Sequence, residues 1–332
     1  MPAILIVKTS SMGDLVHTMP MVTDIAARVP GAHIDWVVEE AFADIPRLHP
    51  AVRDCITVAV RRWRRQLFAR ATWREIAALR QRLKARHYDF IIDAQGLIKS
   101  AVIARMAEGK RCGRDRGSVR EPLAARLYDQ AFPVAKGRHA VWRNRALAAQ
   151  VFGYGVSAGP IDYGMQVPAI DTPDLTAPYV MLAHGCSDAR RWWPHANWVA
   201  VARAYSTSGV APVLPWGNAA ERANAEAIAA AVPGALVLPR LNLIAQAALL
   251  KNAFGVIGVD TGLTHLATGL RCKTVTIFNF TPPHLSGAQG ALTPWGANAG
   301  ALGRGPTVDE VMQAAASLGI APRATLDQRA RP

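Results

Sequence analysis

Cysteine is scarce: the 332-residue chain has only Cys55, Cys112, Cys186 and Cys272, spaced too far apart for a C-x-x-C pair. That spacing argues against a disulfide framework and a cysteine zinc site, and for a reducing compartment. No apolar run approaches the roughly 18 residues that a membrane span needs. The opening M-P-A-I-L-I-V-K is too short for a signal-peptide core and predicts a first buried strand, so a cytoplasmic protein is expected. Also missing are D-x-D, the usual short signal for a metal on a sugar-nucleotide diphosphate, G-x-G-x-x-G and G-K-[ST]. A dinucleotide or Walker-type phosphate loop is thereby disfavoured.

Acidic residues are outnumbered, 24 against 38 Lys and Arg, which leaves a net charge of +14. With 51% hydrophobic and 19% charged residues the composition is ordinary for a globular protein and excludes global disorder. The location of the charge matters more than its size. Residues 61–86 hold ten Arg and Lys against one acid, Glu75, and such a focus attracts phosphates on lipid, nucleic acid or substrate.

A chain of this length exceeds what one core usually serves. Short apolar runs at 4–8, 34–38 and 90–93 alternate with helical stretches such as 72–86, the rhythm of a parallel sheet covered by helices. The stretch 157–178, with Pro160, Pro168, Pro173 and Pro178, reads as a linker. The alternation then restarts, with strands expected at 179–183, 212–214, 235–238, 255–259 and 274–278 and a last helix near 308–317. The predicted fold class is α/β: two Rossmann-like, doubly wound domains facing a central cleft, with ligands bound at the strand ends.

Five loops carry chemistry. T-S-S-M-G-D (9–14) places Asp14 at the start of a helix, as a cap or as a catalytic carboxylate. In G-V-D-T-G-L-T-H-L-A (258–267), Asp260, Thr261 and Gly262 stand where a helix begins, a ready anion site, and His265 follows one turn later. H-G-C-S-D-A-R-R (184–191) offers Ser187 and Arg191, a hydroxyl and a guanidinium suited to a diphosphate. In L-P-W-G-N-A-A-E (214–221), Glu221 either opens a helix or holds a ribose diol. R-R-W-R-R (61–65) is a solvated face or a membrane and phosphate contact, with Trp63 free to stack or sit at an interface.

Together these pieces resemble glycosyltransferase family 9, the heptosyltransferases of lipopolysaccharide core synthesis, and within it the type I branch. V-K-T-S-S-M-G-D-L-V-H-T-M-P (7–20), D-W-V-V-E-E (35–40), R-R-W-R-R, D-A-Q-G-L-I-K-S-A (93–101), L-P-W-G (214–217) and V-D-T-G-L-T-H-L-A (259–267) occur in register along nearly the whole chain. The resemblance implies the GT-B architecture, with an N-terminal acceptor domain (1–160), a linker (161–178) and an ADP-heptose domain (179–304). It further implies a C-terminal helix (305–320) crossing back to the first domain, followed by a basic tail (321–332) expected to be disordered. The implied reaction is inverting transfer of L-glycero-D-manno-heptose from ADP-heptose to the first Kdo of Kdo2-lipid A, with no metal or other cofactor. Asp14 matches the general base. Ser187, Arg191, Glu221, Asp260, Thr261, Gly262 and His265 match donor-binding positions, and Arg61, Arg62, Arg64, Arg65 and Arg120 match acceptor-binding ones. A monomer is expected, in peripheral contact with the anionic cytoplasmic face of the inner membrane, with no nucleic-acid partner.

Three departures surround the donor site. Arg191 stands where the family has a lysine, Cys186 and Ser187 replace a hydroxyl pair, and Asn279, Phe280 and Thr281 replace G-P-T. The rival readings are a type II-like transferase with another donor or acceptor, a precursor-binding paralogue without turnover, and, on charge alone, a nucleic-acid binder.

Overall fold

The computed structural model describes residues 1–173, 175, 178–186 and 188–322. They form two compact units: Met1–Ala158 with Asp162–Gln166, and Gly159–Ile161 with the chain from Val167 onward. The first unit is built on β1 (Ala3–Val7), β2 (His33–Glu39), β3 (Val52–Val58), β4 (His87–Asp93), β5 (Glu108–Arg114) and β6 (Gln130–Phe132). They pair in the order β3-β2-β1-β4-β5-β6, every pair parallel. The second unit has β7 (Tyr179–Ala183), β8 (Ala211–Leu214), β9 (Leu236–Val237), β10 (Gly255–Val259), β11 (Thr274–Phe278) and β12 (Gly296–Gly300). Their order is β12-β11-β10-β7-β8-β9, again all parallel.

Counted from its own first strand, each sheet runs 3-2-1-4-5-6, the doubly wound order in which the chain reverses direction between strands one and four. The switch points are therefore β1/β4 in the first unit and β7/β10 in the second. The central strands are deeply buried: Ile4, Leu5, Ile6 and Val7 in β1, and Val256, Ile257 and Val259 in β10, have no exposed surface. Continuous apolar runs of this kind suit strands covered on both faces.

Four strands lie outside those expected from apolar runs. β3 (V-R-D-C-I-T-V), β5 (E-G-K-R-C-G-R), β6 and β12 (G-A-N-A-G) carry few large apolar residues. Pairing with a preformed neighbour, rather than their own propensity, recruits them. The proline-rich stretch is tied down: Gln166 N–H donates to the Leu48 carbonyl within the first unit at 2.7 Å, and Ile161 N–H to the Leu292 carbonyl within the second at 2.9 Å.

The final helix has partners within the second unit. Helix Val308–Ser317 packs on the second unit's own sheet, burying Val311, Met312 and Ala315 in a core shared with Trp193, Trp198 and Tyr205. Trp193 Nε1 donates to the Pro306 carbonyl and the Tyr205 hydroxyl to the Ile320 carbonyl, both at 2.8 Å, pinning the chain on either side of that helix. Its apolar face is thus spent within the unit that precedes it. Ile320, Ala321 and Pro322 are buried as well, while the expected tail from 323 onward lies outside the described residues. Among the described residues no helix is long and apolar enough to cross a membrane.

Candidate active site

In the first unit the loops after β1 and β4 meet at the switch point. β1 ends at Val7, and Lys8 and Thr9 stay buried as the chain turns toward helix Met12–Val16. Gln95, just beyond β4, receives the Thr9 and Ser10 N–H groups on its Oε1 at 3.1 and 3.3 Å. Buried Asp93 in turn accepts from Gln95 N, Gly96 N, the Ser100 hydroxyl and the Tyr128 hydroxyl, between 2.7 and 3.0 Å. The motif D-A-Q-G thus acts as a clamp on the loop that carries Asp14.

Asp14 is not the cap of its helix. Ser11 is the N-cap, and Asp14, three residues on, completes a capping box by accepting the Ser11 N–H at 3.1 Å. The Ser11 hydroxyl donates to the same oxygen at 3.1 Å, while Lys8 Nζ stands 3.7 Å from the other. Burial pushes the Asp14 carboxyl up, but Lys8, the Ser11 bonds and the nearby His17 outweigh it and hold it down at about 2. Lys8 is itself shifted down, by burial first and then by the Arg114 cation, with Asp14 opposing both. Buried Arg114 donates to the Ala94 carbonyl at 3.1 Å and to Asn144 Oδ1 at 2.6 Å, and burial lowers it to about 10. Lys8, Gln95 and Arg114 escaped the sequence reading as site residues. A lone lysine at the end of an apolar strand was the available signal.

The arginines fall into different environments. Exposed Arg120 stands beside Gly96 and adds its charge to the field on Lys8. Helix Val60–Trp63 begins where Arg61 N–H donates to Glu39 Oε1 at 2.9 Å, and Glu39 N–H donates to the Thr9 carbonyl at 3.1 Å, so the arginine segment is tied to the Asp14 loop through β2. The Arg61 guanidinium lies over the Phe42 ring. Arg62 is committed to Glu75 at 2.9 Å and Glu40 at 3.2 Å, which raise its pKa. Trp63 is buried in the core, its Nε1 donating to Glu75 at 2.7 Å. Arg64 and Arg65 are exposed, and Arg61, Arg62 and Arg65 line a hollow of about 470 Å³ with Glu39 and Glu40.

In the second unit the loops after β7 and β10 meet in the same way. Helix Gly262–Gly269 starts directly after Asp260 and Thr261, and the Thr261 side chain leaves its first turn uncapped. Gly258 is required in the strand below, because a Cβ there would lie 2.2 Å from Thr264 Oγ1. Asp260 is a hub: it accepts from Thr281 Oγ1, meets His265 Nε2 at 2.8 Å and stands 3.4 Å from an Arg191 nitrogen, which also donates to the Asp260 carbonyl at 2.8 Å. Burial opposes, but these partners hold the Asp260 carboxyl well below the usual range. His265, expected to reach an anion, is buried with Asp260 as its ring partner.

The departure at Asn279 and Phe280 is accommodated by contacts of its own. Arg190, clasped by Asp188 at 2.7 Å, lies 4.0 Å over the Phe280 ring, and Asn279 Nδ2 donates to the Trp192 carbonyl at 2.6 Å. Thr281 keeps the hydroxyl of the family motif. Ser187 lies outside the described residues.

Glu221 follows the N-cap Asn218, whose side chain accepts its N–H at 3.0 Å. Its carboxylate accepts the Gly217 N–H at 2.7 Å and packs on Gly185, where a Cβ would lie 2.6 Å from its Cδ. Gly185, Cys186, His184, Asn224 and Glu221 line a hollow of about 330 Å³. Burial lowers His184 to about 4, opposed by the Pro215 backbone, and its Nδ1 meets Asn224 Nδ2 at 3.0 Å.

Known proteins align with this arrangement. The family model for glycosyltransferase family 9 (heptosyltransferase) matches residues 76–315. Lipopolysaccharide heptosyltransferase 1 of Pseudomonas aeruginosa is 46% identical over 289 residues, covering 86% of this chain and 81% of the relative. The solved structure of E. coli heptosyltransferase WaaC with ADP superposes with a TM-score of 0.85 at 37% identity, over 94% of this chain and 98% of that one. The same enzyme with ADP-2-deoxy-2-fluoro heptose gives 0.81 at 35%, over 99% and 100%. The two doubly wound sheets are those of the GT-B architecture. The chain belongs to glycosyltransferase family 9, the heptosyltransferases.

Proposed function

We propose that this protein transfers L-glycero-D-manno-heptose from ADP-heptose to the first Kdo of Kdo2-lipid A, with inversion at the anomeric carbon and without a metal. The observation that carries the reading is the Asp14 carboxylate, partly exposed in the first turn of the helix after β1 and held ionised by Lys8 and Ser11. As general base it takes the proton of the Kdo hydroxyl while that oxygen bonds to the anomeric carbon and the bond to the ADP oxygen breaks. A carboxylate held near 2 is a weak base in the free protein. An acceptor anion that engages Lys8 draws its field away from Asp14 and raises its basicity as the substrate arrives.

On the donor side, the uncapped first turn of helix Gly262–Gly269 and the Arg191 guanidinium supply positive potential for the diphosphate and for the charge that develops on the leaving ADP. Asp260 orients Arg191, His265 and Thr281 rather than meeting the phosphates itself. Glu221, beside the small Gly185, is placed to accept the two ribose hydroxyls. Arg61, Arg64, Arg65 and Arg120 serve the carboxylates and phosphates of the acceptor, while Arg62 braces their helix. A cytoplasmic enzyme in peripheral contact with the inner membrane fits a lipid-borne acceptor.

The test is ADP release from ADP-heptose, measured with and without Kdo2-lipid A. Acceptor-dependent release supports the reading; a wild-type protein that binds both substrates and releases no ADP refutes it.

A further inference from the structure

The first unit concentrates its exposed apolar side chains at one edge. Apart from Met1, every large exposed hydrophobic described in it stands in a segment leaving the C-terminal end of a strand: Leu67, Phe68 and Trp73 after β3, Ile98 and Val102 after β4, and Leu123 after β5. In a parallel sheet those ends coincide, and they are also the ends that carry Asp14 and Lys8. Among the described residues of the second unit the set divides: Trp192 follows β7 and Leu302 follows β12, whereas Ile170 precedes β7, Leu236 sits within β9 and Phe254 precedes β10. Scattered exposed hydrophobics need no explanation, but a grouped and charged set does.

The tip of this edge is built rather than loose. Trp73 Nε1 donates to the Leu67 carbonyl at 2.8 Å, the buried Thr72 hydroxyl to the Gln66 carbonyl at 2.8 Å, and Ala69 N–H to the same Gln66 carbonyl at 3.0 Å. These bonds fix a turn whose outermost side chain, Phe68, is fully exposed, with Leu67 half-exposed and Trp73 at 59%. Arg64 and Arg65 before it and Arg70 and Arg74 after it in the chain are exposed. Exposed apolar side chains flanked in the chain by guanidinium groups, with an exposed tryptophan among them, complement one surface chemistry: hydrocarbon beneath anionic phosphates.

We propose that the Gln66–Trp73 segment is a bilayer anchor, with Phe68 and Leu67 seated among the acyl chains, Trp73 at headgroup level and the flanking arginines on lipid phosphates. The inference rests on the lipid-borne acceptor proposed above and assigns that membrane contact to a surface. It orients the first unit so that the strand ends bearing Asp14 face the membrane, where a membrane-held sugar is presented.

Co-sedimentation with phosphatidylcholine vesicles, with and without 30 mol% phosphatidylglycerol (about one lipid in three, enough to give a strongly anionic surface), tests it. The wild-type protein should sediment with the anionic vesicles and far less with the neutral ones. Leu67→Ser with Phe68→Ser should weaken that binding about tenfold or more. Arg70→Gln with Arg74→Gln should weaken it about fivefold for each arginine removed. Absence of wild-type binding, equal binding to neutral vesicles, or variants that bind like wild type would each overturn the anchor. The arginine pair, entirely at the surface, decides the matter should the serine variant misfold. Turnover on a deacylated, water-soluble Kdo acceptor separates the two proposals: both variants should match wild type there, whereas a wild-type failure counts against the transferase reading and not against the anchor.

Discussion

Asp14 does two jobs with one carboxylate. As the third residue of its helix it completes the capping box with Ser11, and as the proposed base it faces Lys8 across 3.7 Å. Asp14→Ala should therefore lower turnover by about 10²–10⁴, the usual range for a lost general base, with ADP affinity unchanged. An unaltered rate would remove it from the mechanism. A cap contribution near 1 kcal/mol is lost at the same time, so unfolding should be measured beside the kinetics. Gly185 offers a test on the donor side. Alanine there puts a Cβ 2.6 Å from the Glu221 Cδ and forces that side chain out of place. ADP should bind more weakly, by on the order of tenfold, the scale of a lost hydrogen bond to a charged group. Titration calorimetry with ADP checks it, and unchanged affinity would separate Glu221 from the ribose.

At the scale of elements, the arginine helix shows how one motif divides its labour. R-R-W-R-R is written as a single run, yet Trp63 packs into the core, Arg62 is taken by Glu40 and Glu75, and only Arg61, Arg64 and Arg65 are left for an acceptor. Replacing those three with alanine should raise the acceptor KM by about tenfold or more, since each charge near an anionic lipid surface counts for roughly 1 kcal/mol, and should leave ADP binding intact. Loss of both affinities would mean that the element had unfolded. Arg62→Ala is a different experiment, because it takes the cation from Glu40 and Glu75, leaving Glu75 only the Trp63 N–H, and should lower stability before it touches KM. The terminal helix carries a similar lesson. Its apolar stripe was readable, but its partner was not: Trp193, Tyr205 and the second sheet claim it.

For the whole molecule, pH links the two units. Burial holds His49 in the first and His184 in the second at about 4, against an ordinary value of 6.5. Each is neutral in the folded chain and charged in the unfolded chain over that interval. The stability they confer is complete above about 6.5 and lost progressively as pH falls toward 4, on the order of 3 kcal/mol for each group. Asp14, held at about 2, stays ionised throughout this range and contributes no loss until pH drops below about 3.8, its ordinary value. Thermal scans between pH 7 and 4 should show a falling Tm in both units, and a flat Tm over that span would contradict the burial of the two histidines. Much of this molecule was legible beforehand. The apolar runs of β1, β7, β10 and β11 and the motifs that place Asp14 and Asp260 at switch points follow from local chemistry, since a buried parallel strand and the loop after it are written in contiguous residues. What only the tertiary structure decided depends on partners distant in sequence: the recruitment of β5 and β12 by pairing, the clamp of Gln95 on the loop before Asp14, the Asp260 hub, and the packing of the last helix on its own unit. In those cases the same residues are compatible with several neighbours, and burial and hydrogen bonding with one of them set the outcome.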